Sequence, residues 1–498
     1  VKGMRIIRFS ATKRSRSATA RRSRPPSEKA VLPYPEAGRA LGVPVEYSDA
    51  VPEIRSFSLD TRTLKPGELF IALKGERSDG HAHVPAAYAA GASGVLIDRE
   101  RKSDVLALLK NAGRVATNLL AVPEPERAMT DLARYYRGQL SLRAVSVTGS
   151  FGKTTTKEFL VFLLRQKYSA LATSGNLNNH LGVPIMISRL ERSHNVAVFE
   201  LGASGMGEIS HLAGLIRPSA AVITMIGPAH LEGFGSLENI YRAKTEVVRH
   251  LPKNAPVVIS DQDPELERVL RDSGKRIVRA GPSEGADCRL TDVRAADGRV
   301  SFRLNGVGPF SFPGHAPFLG MNAALAAAMA CEWGVPLADM PRDWRDAGFA
   351  TGRFRETTLA NGIRVIDDSY NASPLAFAAA VTTFSKLPAT GKRILVFADM
   401  LELGAEELRY HRELGERISE LPIDLAVAFG ERARASIEAI RAAGVPVSAR
   451  HFPDAETLSA TLAEIVRPGD LVLFKGSRGM RVERVLTRIK ELVFSTSH

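Results

Sequence analysis

Short, largely apolar runs alternate along the chain with polar, glycine-punctuated loops and with segments of helical periodicity. Runs at 69–73, 94–98, 142–147, 195–202, 220–227, 256–260, 394–398 and 471–475 carry apolar residues at consecutive positions. A strand of that kind is covered on both faces, as in a parallel sheet. Alanine-rich or amphipathic stretches at 85–91, 126–137, 237–248 and 322–330 read as helices between them. Strand, loop and helix in repeated alternation predict an α/β protein. A chain of 498 residues is too long for one core. The pattern divides into a small α/β domain over 31–125, a central sheet over 126–345 with a β-rich patch at 300–312, and a Rossmann-like domain over 346–498 that lacks a dinucleotide fingerprint.

One junction stands out. The apolar run 142–147 enters Thr148-Gly-Ser-Phe-Gly152, and a helix is predicted to open at Lys153-Thr-Thr-Thr-Lys157. Gly149 and Gly152 free the backbone to turn and approach a ligand. Successive N–H groups and a helix N-terminus then point at one place, where a phosphate can sit. Lys153 would reach the β- and γ-phosphates, and the Thr154 hydroxyl would meet Mg²⁺. Val147 stands where the usual pattern has its first glycine. Thr148, Gly149, Ser150, Gly152, Lys153, Thr154 and Thr155 are the expected nucleotide-binding residues.

Other strand ends carry candidate chemistry. Ligands of an open parallel sheet collect at the carboxyl ends of its strands. Glu200 ends one strand, where it is either a Mg²⁺ carboxylate or an edge residue in an ion pair. His230 follows the run 220–227 and is either structural or a ligand. Lys244 lies within a predicted amphipathic helix, and the pattern alone reads it as a solvated lysine. The polar stretch 173–184 is a surface loop or a loop serving the phosphate site. In the third domain, polar clusters at Asp368 to Asn371 and at Lys475 to Arg481 end apolar runs.

Composition narrows the classes. With 44% hydrophobic and 24% charged residues the chain is globular, and no apolar run approaches the ~18 residues of a membrane span. Cys288 and Cys331 lack metal-ligand spacing and read as reduced core residues of a cytoplasmic protein. The net charge of +13 suggests nucleic acid until it is located: residues 1–29 hold ten Lys/Arg and one acid, so about +9 of it sits there. That Ser/Arg-rich segment is predicted to be a disordered basic tail ending near residue 30. Without aromatic-basic interleaving, a nucleic-acid-binding ATPase is the weaker class.

The Thr-Gly-Ser-x-Gly-Lys-Thr-Thr-Thr-Lys form of the loop resembles the ATP-dependent Mur ligases of peptidoglycan synthesis. His230-Leu-Glu-Gly-Phe-Gly-Ser236 and Asp367-Asp-Ser-Tyr-Asn-Ala372 resemble the branch that adds D-alanyl-D-alanine to a UDP-N-acetylmuramoyl tripeptide. The resemblance runs from about Ser58 to Glu483. It implies a cytoplasmic, monomeric, ADP- and phosphate-forming amide ligase that uses ATP and Mg²⁺, acts through an acyl phosphate, takes only small-molecule substrates and neither binds nucleic acid nor inserts in a membrane. A sister ligase adding diaminopimelate or lysine is the alternative.

By the same resemblance Ser58, Thr61, Arg62 and Lys74 contact the UDP moiety. Lys153, Glu200, His230 and Lys244 serve catalysis. Lys244, as its CO₂-derived carbamate, joins Thr154, Glu200 and His230 as a metal ligand. Asn322 lies near adenine, Arg353 near the phosphates and Asp368 near the ribose. Tyr370, Asn371 and Arg478 border the acceptor dipeptide. Phe151, Ser204 and Ser373 depart from the family pattern, and Phe318-Leu-Gly-Met-Asn322 replaces its usual asparagine motif.

Overall fold

The computed structural model describes residues 4–6, 32–48, 53–76, 78–115, 117–348 and 351–495. The basic tail expected to be disordered lies outside these residues, except that Met4–Ile6 forms a strand paired antiparallel with Glu46–Ser48. The fold is α/β throughout, as the alternation of runs predicts. The chain forms two compact units: residues 1–145, 168–201 and 211–218 make the first, and the remainder makes the second.

In the first unit a six-stranded sheet runs in the order Met4–Ile6, Glu46–Ser48, Leu119–Val122, Gly94–Asp98, Leu69–Ile71, Phe57–Ser58. Its last four strands are parallel. Phe70, Val95 and Ile97 pack with Val84, Val105 and Leu109 from the helices on one face. Ala170–Ala172 and Val196–Glu200 form a further parallel pair, the latter buried at every position, which accounts for its unbroken apolar pattern.

The units do not part at 125/126. The helix Pro125–Gly138 packs on Tyr34–Leu41 and Gly182–Ser188 within the first unit. It buries Met129, Leu132, Ala133 and Tyr136. Tyr136 donates to the Leu190 carbonyl at 2.6 Å, and the buried Arg137 guanidinium donates to the Ile216 carbonyl at 2.8 Å. These bonds satisfy polar groups that burial would otherwise leave unpaired.

The second unit holds strands of a central sheet and the third domain. Ala220–Ile223, Pro256–Ser260 and Arg276–Gly281 are parallel neighbours, and Cys288–Ala296, Arg299–Leu304 and Val307–Pro313 extend them as an antiparallel meander. That meander is the β-rich patch expected near 300–312. The helices Lys153–Leu164 and Leu319–Glu332 pack together. Six buried alanines of the second helix let the backbones approach closely. Phe159, Phe302, Phe310, Phe312 and Trp344 form an aromatic cluster beside them.

The third domain is an open sheet ordered Arg355–Thr358, Arg364–Asp368, Leu471–Lys475, Arg393–Ala398, Leu425–Phe429, Ser448–Phe452. Only its first pair is antiparallel. Ile394, Val396, Val427, Val472 and Phe474 fill its core against Leu458, Val485 and Ile489. The loops after 368, 398 and 475 therefore leave from one edge of the sheet. Among the described residues no helix is long and apolar enough to cross a membrane.

Candidate active site

The strand Arg143–Thr148 enters the loop 149–152, and the helix Lys153–Leu164 follows. Gly149 has φ 137° and Gly152 φ 78°, conformations that disfavour a side chain. Both are also closed in by neighbours: a Cβ on Gly149 would lie 2.1 Å from the Thr224 hydroxyl, and one on Gly152 2.4 Å from Asn322 Oδ1. Thr224 ties the loop down, its N–H donating to the Thr148 carbonyl at 2.8 Å and its hydroxyl to the Phe151 carbonyl at 2.5 Å. Ser150 donates through Oγ to the Gly227 carbonyl at 2.9 Å.

No side chain caps the helix start, and no acidic residue lies in its first turn. The N-terminal dipole is thus left for an anion. Lys153 Nζ donates to the Gly149 and Ser150 carbonyls at 2.9 and 3.0 Å, so its ammonium sits over the loop. Asn322, placed near adenine from the resemblance, has its amide against Gly152 at the loop's end.

Lys244 is no solvated helix lysine. It ends the helix Leu237–Thr245, whose N-cap Ser236 accepts from Asn239 N at 3.1 Å. The side chain is 2% exposed. Its Nζ donates to the Ala203 carbonyl at 3.0 Å and lies 5.1 Å from the Phe234 ring centroid. Burial first, and then the Lys153 charge, hold its pKa down at about 7 against the pull of Glu208 and Glu246. The amine therefore gives up its proton more readily than an exposed lysine does, and the neutral form is the one that reacts with CO₂.

His230 has φ 55° and its Nδ1 is hydrogen-bonded to the Glu402 carboxylate of the third domain; Glu232 N donates to the Glu402 carbonyl at 3.1 Å. That hydrogen bond holds the Glu402 carboxyl below its ordinary pKa. In the first unit, buried Glu200 receives Asn178 Nδ2 on Oε1 at 2.8 Å, while its Oε2 is buried without a hydrogen-bond partner. A carboxylate oxygen so left suits a hard cation. Among the described residues, no three or more His, Cys, Asp and Glu side chains gather as a metal site. A metal held here needs hydroxyl, phosphate or carbamate oxygens as well.

In the third domain Arg353 stacks 4.2 Å from the Tyr370 ring centroid. Asp368 accepts from Phe354 N at 3.1 Å and from Lys475 Nζ at 2.6 Å, so both its oxygens have protein partners. Arg478 N donates to Asn371 Oδ1 at 3.3 Å. In the first unit a cleft of about 760 Å³ is lined by Lys74, His81, Asp98, Arg127, Arg134 and His180, among others. His81 accepts from Asp98 N at 3.0 Å through Nε2, which leaves Nδ1 to donate to Asp79 at 2.6 Å. Of the four residues assigned to the UDP moiety only Lys74 lines this cleft. Ser58 is buried and hydrogen-bonded within its own turn, Thr61 is half-buried, and Arg62, 86% exposed, pairs with Asp60.

Sequence reasoning missed Thr224, His81 and Glu402, which are reached by tertiary contacts alone. Asn178 lies in the polar stretch 173–184 and Lys475 in the cluster 475–481, both singled out in sequence but without a role for the individual residue.

Three family models match the chain: the Mur ligase family catalytic domain over 53–137, the Mur ligase middle domain over 147–331, and the Mur ligase glutamate ligase domain over 352–478. The UDP-N-acetylmuramoyl-tripeptide--D-alanyl-D-alanine ligase of Bacillus subtilis (strain 168) is 34% identical over 446 residues, 89% of this chain and 94% of that one. The chain belongs to the Mur ligase family. The enzyme of the same description from Escherichia coli (strain K12) is 34% identical to this Mur ligase over 87% of the chain and 93% of its own length. Among solved structures, MurF from Acinetobacter baumannii superposes with a TM-score of 0.78 at 30% identity, covering 92% of this Mur ligase and 99% of that chain. MurF ligase from Thermotoga maritima in complex with ADP gives 0.73 at 30% identity, covering 90% and 100%.

Proposed function

We propose that this Mur ligase joins D-alanyl-D-alanine to a UDP-N-acetylmuramoyl tripeptide with hydrolysis of ATP to ADP and phosphate, in the cytoplasmic supply of peptidoglycan precursors. The observation that carries the reading is the phosphate loop, its glycines closed in by Thr224 and Asn322 and Lys153 Nζ lying over its carbonyls. The full-length relatives bearing that name supply the substrates.

The tripeptide carboxylate oxygen takes the γ-phosphoryl group of ATP, and the bond to ADP breaks. The dipeptide amine then attacks the acyl carbon, gives up a proton, and the C–O bond breaks with release of phosphate. Lys153 and the loop N–H groups oppose the charge that develops on the transferred group. Arg353 adds a cation on the side of the third domain, and Tyr370, Asn371 and Arg478 orient the amine. Lys74 serves the UDP-linked substrate, with Ser58, Thr61 and Arg62 as further candidates. Asp368, with both oxygens engaged, serves the ribose only through the loop it holds.

Mg²⁺, when bound, would neutralise phosphate oxygens and polarise the phosphoryl group being transferred. Thr154, His230 and Lys244 of the second unit are the donors proposed for it; Glu200 of the first unit offers a buried carboxylate oxygen of its own. Lys244 becomes one by attack of its neutral nitrogen on CO₂: a C–N bond forms, a proton leaves, and an anionic oxygen ligand replaces the amine.

Phosphate release tests the reading. Turnover with UDP-muramoyl tripeptide plus D-alanyl-D-alanine is expected. Equal or faster release with diaminopimelate or lysine on a UDP-muramoyl dipeptide would instead place the chain with the sister ligases.

A further inference from the structure

Phe151 is the one large apolar side chain in the phosphate loop, and nothing in phosphate binding calls for it. The loop binds through backbone N–H groups, and the backbone at 151 is already fixed. Its carbonyl accepts from the Thr224 hydroxyl at 2.5 Å and its N–H donates to the Met225 carbonyl at 3.3 Å. The ring is half-buried and turns toward Gly227, where a Cβ would lie 2.8 Å from Phe151 Cε2 and 2.5 Å from Leu375 Cδ1. Gly227 is not among the residues with positive φ, so its backbone does not require glycine. The space does.

Three functional loops meet at this point. Phe151 belongs to the phosphate loop. Gly227 begins the loop that carries His230 three residues later, and its N–H and carbonyl both bond Ser150 Oγ, at 3.2 and 2.9 Å. Leu375 lies in the first turn of the helix Pro374–Ser385, directly after the Tyr370–Asn371 segment assigned to the acceptor. Leu375 is 45% exposed, so it contributes little to its own domain's core. The other links between these domains near His230 are polar: the hydrogen bond to Glu402 and the bond from Glu232 N. Polar links at this exposure exchange with water, whereas an apolar contact is lost only when the surfaces separate.

We propose that Phe151 and Leu375, meeting over Gly227, form an apolar latch that sets the acceptor loop against the phosphate loop, and that Phe151 is a positioning residue for amine attack. Its effect falls on the acceptor half of the reaction, which rests on the ligase reading above.

The test uses the full-length chain with Phe151→Ser, Phe151→Leu, Leu375→Ala, Gly227→Ala and the Phe151→Ser/Leu375→Ala pair. Phosphate release is followed against dipeptide concentration at saturating ATP and tripeptide, and ADP affinity is measured by calorimetry. Phe151→Ser and Gly227→Ala are expected to lose about 10- to 100-fold in kcat/KM for the dipeptide, the scale of a misplacement near 1 Å. ADP affinity should stay within about twofold, Phe151→Leu should keep most activity, and the double variant should be no worse than the worse single. Additive losses, or a fall in ADP affinity matching the fall in kcat/KM, would overturn the latch. So would unchanged dipeptide kinetics in a folded Phe151→Ser protein. If wild type releases no phosphate with the dipeptide, the ligase reading fails, and amide exchange of residues 374–385 decides the latch: faster exchange in Phe151→Ser supports it and unchanged exchange rejects it.

Discussion

Lys244 Nζ donates to the carbonyl oxygen of Ala203 at 3.0 Å, across 41 residues of sequence. The acceptor is a neutral backbone group, so the bond orients the amine without demanding that it carry charge. Burial and Lys153 then disfavour the ammonium. A hydrogen-bonded lysine with a lowered pKa is the precursor that the proposed carbamate calls for.

That pKa makes stability depend on pH. The folded pKa, about 7, lies below the ordinary 10.5, so between these values the unfolded chain binds the extra proton. Stability from this group therefore rises with pH from about 7 to 10.5 and is flat below 7. In CO₂-free buffer, urea midpoints of wild type should climb across that window relative to Lys244→Met. Parallel profiles would show that Lys244 is charged in the folded state.

Chemical rescue separates the roles of the two lysines. Lys244→Ala should lose most activity, and acetate should restore part of it by supplying a carboxylate in place of the carbamate. Lys244→Arg should stay inactive, since a guanidinium keeps its charge and offers no oxygen. Lys153→Ala should be inactive with or without acetate, because the missing group is a cation. Near-normal turnover by Lys244→Arg would end the carbamate reading.

Gly149→Ala should abolish nucleotide binding. Its φ of 137° resists a side chain, and the new methyl would fall 2.1 Å from the Thr224 hydroxyl, which itself anchors the loop. A loss of about 100-fold or more in ADP affinity is expected, since backbone and anchor are both displaced. Calorimetry checks it, and Gly274→Ala, with φ 66° but nothing within 4 Å, is the control for backbone strain alone.

The phosphate loop was legible because its signal is local: two glycines, a lysine and three threonines within a few residues, between a strand and a helix. The sheets were legible because consecutive apolar positions mark strands buried on both faces. Lys244 was ambiguous because its burial comes from Ala203 and Phe234, which periodicity does not reveal. Arg62 suited a diphosphate in sequence, yet its guanidinium pairs two residues away with Asp60. Residues 125–138 look like the start of the central domain, but their apolar face is met by helices of the first unit. Asp368 is placed near the ribose by resemblance, but Lys475, 107 residues later, lies against it in a bond that periodicity does not reveal.

That last pair permits a prediction with a built-in control. Lys475 is 2% exposed, and its ammonium bonds Asp368 Oδ2 at 2.6 Å and the Asn371 carbonyl at 3.1 Å. Asp368 in turn holds Phe354 N, next to Arg353. One buried pair thus braces the arginine assigned to phosphate and the asparagine assigned to the acceptor. Removing one partner strands a charge in a dry site, at a cost of roughly 3–5 kcal/mol. Lys475→Met and Asp368→Leu should each show that loss in urea denaturation. The double variant should lose clearly less than the two singles together, since no charge is left unpaired. Activity should not follow stability: the double variant, though refolded, should remain slow in phosphate release, because Phe354 N and the Asn371 carbonyl have lost their anchor. Strict additivity in stability would show that the two groups do not act as a pair, and full activity in the double variant would show that the pair braces nothing the reaction uses.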